Sequence, residues 1–149
     1  MAKQVDISKT IKEYKIKLPM INDSHIYIIF GKTLKDIRDN YKYFKNRDDM
    51  DGMLSPGKLA STMFFGSDTG FTLAMIYGID NIDDIDRTIV HECFHMTGEV
   101  ADAFGFQYDF NNDEPMAYLM DYLYSETKKN YLKYIKHLNL LENDTESNS

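Results

Sequence analysis

Two histidines stand four residues apart in His91-Glu92-Cys93-Phe94-His95, and this spacing constrains the fold more than any other feature of the chain. On an α-helix, side chains i and i+4 leave the same face one turn apart, so both imidazoles can reach one cation. The flanking residues agree with a helix. Asp83 and Asp84 suit its start, where carboxylates meet the positive end of the helix dipole. Ile85, Ile89, Cys93, Val100 and Phe104 recur on or near one apolar side, and Gly105 ends the run.

The rest of the chain predicts a scaffold for that helix. At 149 residues, 43% hydrophobic and 13% aromatic, it has room for one domain with an ordinary core and does not read as disordered. Tyr14 to Leu18 reads as a short strand with lysines on one face, ended by Pro19. His25 to Phe30 is a near-continuous β-branched and aromatic run, the pattern of a central strand. Thr33 can cap a helix through about Phe44, with Leu34, Ile37, Tyr41 and Phe44 at helical spacing. Asp48 to Gly57 reads as a loop. Leu59 to Phe65 and Phe71 to Tyr77 are two more strands, joined by the hairpin-like Gly66-Ser67-Asp68-Thr69-Gly70. Phe71 to Tyr77 is the expected free edge, on which an extended peptide could pair. Asn111 to Asp113 can cap a last helix that tolerates Pro115 in its first turn and runs to about Ile135. Met116, Leu119, Met120 and Leu123 form its apolar face, and the polar residues 142–149 form a tail expected to fray. The fold class is therefore α+β, a single domain over 1–141. About four strands pack against the histidine-bearing helix and a C-terminal helix.

Charge and cysteine content narrow the function. A net charge of −7 disfavours general nucleic-acid binding, which depends on neutralising phosphates. Residues 1–58 carry an excess of four cations, whereas between Lys58 and Lys128 Arg87 alone faces 13 carboxylates. That stretch reads either as a solvated acidic surface or as a negative field for a cation or a basic substrate. No apolar run approaches a membrane span, and the charged start, Met-Ala-Lys-Gln-Val-Asp, does not resemble a signal peptide. A cytoplasmic location is the expectation. The single Cys93 excludes an internal disulfide and a four-cysteine zinc site.

With His91 and His95 as two zinc ligands, Glu92 lies beside the water that attacks a carbonyl, where it can take the proton and pass it to the leaving amine. A catalytic zinc needs a third protein ligand. Cys93 is about 200° around the helix from His91 and falls on the core side. Glu99 and Asp102 rise away from an ion between the histidines, so supporting roles suit them better. Gly98, on the same side, either admits a neighbouring segment or is a tolerated helix glycine. Glu114 is the better candidate, since it opens the last helix after the Gly105 turn. With Tyr118, Asp121 and Ser125 it forms a polar stripe, which also fits a solvent-facing surface. In the site reading Tyr118 donates to the developing oxyanion and Asp121 orients a ligand histidine. His25 and His137 read as strand-end and surface residues.

At these residues the chain resembles the zincin superfamily of metallopeptidases, in the gluzincin branch, whose third ligand is a glutamate. More narrowly it is similar to small zincin-like proteins encoded by bacteriophages. The likeness rests on Ile89-Val90-His91-Glu92-Cys93-Phe94-His95 and Asn112-Asp113-Glu114-Pro115-Met116-Ala117-Tyr118-Leu119, and covers roughly residues 88–124. It implies Zn2+ on His91, His95 and Glu114, with Glu92 as general base. Tyr118 stands where long gluzincins often carry an aspartate, and Ala101 stands where the metzincin branch has a histidine. The implied activity is zinc-dependent hydrolysis of a peptide or protein substrate in the cytoplasm, that of the infected host if the chain is phage-encoded. The rivals are an inactive, zinc-stabilised binding or inhibitory module and a small-molecule amidase.

Overall fold

The computed structural model describes residues 4–18, 24–107 and 109–148. Its α+β class and its order of strands and helices are those the sequence pattern predicts. Strands β1 (Lys12–Lys17), β2 (His25–Gly31), β3 (Ala60–Ser67) and β4 (Gly70–Gly78) form one mixed sheet in the order β1-β2-β4-β3. β1 pairs antiparallel with β2, β2 runs parallel to β4, and β3 pairs antiparallel with β4. Helices α1 (Leu34–Asn40), α2 (Ile85–Ala103) and α3 (Glu114–Ser147) cover it, with short 3-10 helices between. Pro19, expected to end the first strand, lies outside the described residues.

Both faces of the sheet are covered, which explains why β2 and β4 lack polar alternation. On one face Ile26, Ile28, Phe30, Leu73, Met75 and Tyr77 meet Ile89, Cys93, Met96 and Val100 of α2 and Leu119, Leu123 and Tyr134 of α3. On the other, Tyr27, Ile29, Ala74 and Ile76 meet Leu34, Ile37, Tyr41 and Phe44, closed by Met50 and Met53 of a 3-10 helix. Gly78 is glycine for a steric reason, since a Cβ there would lie 2.6 Å from the Leu34 backbone nitrogen.

Three expectations are corrected. The free edge beside α2 is β3, not Phe71 to Tyr77, because β4 is flanked on both sides. Helix α1 starts at its Thr33 cap, whose Oγ1 accepts from the Asp36 N–H at 3.0 Å, but it stops at Asn40. Tyr41 turns to extended backbone, and a tight turn still delivers Tyr41 and Phe44 to the core with their rings 4.8 Å apart. Helix α3 continues past Ile135 to Ser147, so residues 142–147 of the polar tail are part of it. No glycine or proline interrupts the run after Pro115. Its far half is anchored by His137 Nε2 at 2.8 Å from the Lys9 carbonyl and by the Lys32–Glu142 ion pair at 3.7 Å. No helix among the described residues is long and apolar enough to cross a membrane.

Candidate metal centre

Helix α2 is started by Asp84, whose carboxylate accepts from the Arg87 N–H at 3.0 Å, and closed by Gly105 at φ +72°. The buried row of Ile89, Cys93, Met96 and Val100 fixes its rotation against the sheet. His91 and His95 are thereby turned outward into a cleft of about 620 Å³ between α2 and the open edge of β3. Their Nε2 atoms lie 3.1 Å apart, with ring planes at 76°. Two imidazoles on one tetrahedral zinc, with bonds of about 2.0–2.1 Å, hold their nitrogens about 3.3 Å apart. The two nitrogens, which as free imidazoles share a hydrogen bond, are thus spaced like two ligands of one such ion.

Glu92 sits between core and cleft, only 5% exposed, and lines the cleft beside the histidines. Thr62 of β3 donates its hydroxyl to Glu92 Oε2 at 2.7 Å, and the same hydroxyl lies 3.2 Å from the Glu92 carbonyl oxygen. This bond ties the edge strand to the middle of α2 and holds the carboxylate in one orientation. Among the described residues it leaves Oε1 as the oxygen free to accept a proton from the cleft. Thr62 was missed by sequence reasoning. It follows another hydroxyl residue, Ser61, and nothing local pairs it with a residue 30 positions away.

Cys93 is buried behind this layer with its Sγ 3.9 Å from Met75 Sδ, and burial pushes its thiol up to about 12. It does not line the cleft. Gly98 has nothing within 4 Å of where a Cβ would sit, so the tolerated-glycine reading applies and no described segment approaches it.

The cleft gathers His91, Glu92, His95 and Glu99, together with Asp83, Asp84, Lys58 and Arg87. Glu114, Tyr118 and Asp121 do not line it. Glu114 is exposed at the first position of α3, and Tyr118 is 70% exposed. Leu119 and Leu123 turn the apolar face of α3 inward, which leaves the stripe carrying these three residues toward solvent. Farther along, Tyr124 Oη and Lys128 Nζ both bind the Asp86 carboxylate, at 3.1 and 2.5 Å, and fix α3 against the start of α2. Among the described residues no three His, Cys, Asp or Glu side chains are placed together to hold one metal ion. Compared with family models, curated proteins and solved structures, the chain matches none.

Proposed function

We propose that the chain is a zinc-dependent hydrolase that cleaves a peptide bond in the cleft between α2 and β3. The observation that carries this reading is the convergence of His91 and His95 Nε2 at 3.1 Å beside a carboxylate fixed by Thr62. A zinc ion held there would supply Lewis acidity, polarising the scissile carbonyl and acidifying water. Glu92 accepts the proton of the attacking water at Oε1 and returns it to the departing amine, while Thr62 keeps the carboxylate aimed through both transfers. The open β3 edge offers alternate backbone N–H and C=O groups to an extended substrate. Carboxylates Asp83, Asp84 and Glu99 outnumber Lys58 and Arg87 along the cleft, which supports basic residues near the cleaved bond. In this reading the third ligand is Glu114, which lies outside the cleft and would have to be carried in with the first turn of α3.

The test is a peptide-library digest by zinc-loaded protein, with Glu92→Gln as control. Loss of the base lowers the rate by about 100-fold or more, while zinc content stays at one ion per chain. Equal turnover by both proteins refutes the mechanism. A metal-stabilised binding module is the second reading, on the same histidine pair. Zinc uptake without cleavage of any peptide would select it.

A further inference from the structure

A second hollow lies farther along β3 and α2, beyond the histidine cleft. Phe64 lies two residues beyond Thr62 on the same face of β3, and Ala103 and Phe104 follow Glu99 along α2. With Phe71 of β4 they border this hollow, of about 300 Å³. Phe64 and Phe71 are 54% and 79% exposed and stack on each other, with ring centroids 5.6 Å apart and planes at 21°. Phe71 pairs in register with Gly66, so no side chain of the edge strand covers its ring from that side. Among the described residues no Lys, Arg, Asp or Glu lines the hollow, whose polar groups are Ser24, His25, Thr69 and Thr72.

We propose that this hollow seats an aromatic or large aliphatic side chain of an extended peptide laid along the β3 edge. The inference rests on the hydrolase reading for its direction. With the scissile bond level with Thr62 and Glu92, Phe64 and Gly66 lie roughly 7 and 13 Å farther along the strand. The seated side chain is then two to four residues from the cleaved bond. An open strand edge shared with the cleft and an exposed, stacked pair of aromatic rings at its far end together favour a peptide with an apolar anchor.

A randomised peptide library panned on full-length Glu92→Gln protein reads binding without turnover. Aromatic residues should be enriched at one position, and a Phe peptide should bind about tenfold tighter than its Ala counterpart. Phe71→Ser should reduce that preference to about twofold or less. The ring is mostly exposed, so the variant should keep its melting temperature, and Phe64→Ser provides a second, independent test. No enrichment, or a preference unchanged in both variants, overturns the proposal. Concentration-dependent dimerisation abolished by Phe71→Ser also overturns it, assigning the hollow to a second copy of the chain. A peptide bound through its aromatic residue yet never cut by wild type removes the hydrolase reading and leaves the hollow's role standing. Cleavage without aromatic preference does the reverse.

Discussion

Replacing Thr62 by Val tests the joint between the edge strand and the candidate base. Valine keeps the branched shape and removes only the hydroxyl that donates to Glu92 Oε2 at 2.7 Å. Glu92 is 5% exposed, so water cannot readily take over as donor, and the buried carboxylate oxygen is left unpaired. A hydrogen bond to a charged group contributes about 1.5–3 kcal/mol. For a chain of this length that predicts a melting temperature lower by roughly 3–12 °C. Placed in the Glu92→Gln background, the same substitution removes a neutral bond worth about 0.5–1.5 kcal/mol. The double-mutant cycle should therefore give a coupling of about 1 kcal/mol, read by urea denaturation at neutral pH. Hydrolysis by Thr62→Val should fall with zinc content unchanged, because the carboxylate loses its aim and the histidines do not. A stability cost below about 0.5 kcal/mol, or the same cost in both backgrounds, would refute the joint.

Zinc at 100 times its dissociation constant should stabilise the fold by about 2.7 kcal/mol, and His91→Ala or His95→Ala should abolish that gain in thermal melts. Glu114→Gln should weaken zinc binding by more than about 100-fold, while Glu99→Gln stays within the roughly 10–100-fold of an outer-shell group, both read by competition with a chelating dye. The reverse order would make Glu99 the third ligand. Burial raises the Cys93 thiol from 9.0 to about 12, so its share of stability is full below pH 9 and is lost as pH rises toward 12. In native protein at pH 8, Cys93 should react with a disulfide reagent only at the rate of unfolding, and rapid labelling would contradict its burial.

Local chemistry was enough to read the strand–strand–helix–strand–strand–helix–helix order from the sequence. β-branched and aromatic runs, a 3.6-residue apolar period and the boundary residues Thr33, Asp84 and Gly105 act within a few positions of themselves. The facing of His91 and His95 is of the same kind, since one helical turn brings them together whatever surrounds it. What required the tertiary structure involves pairings that no window of sequence contains. β2 and β4 carry similar apolar runs, and their parallel pairing across a crossover is what puts β4 inside the sheet and β3 at its edge. That edge brings Thr62 to Glu92 across 30 residues and leaves Phe64 and Phe71 open. The turn after Asn40 is set by where the core receives Tyr41 and Phe44, and the last turns of α3 are held by residues near the other end of the chain. Glu114 shows the limit most plainly. Its place in the helix is legible in the sequence, but its distance from the histidines is decided by how Leu119 and Leu123 seat α3 on the core, a matter of long-range packing.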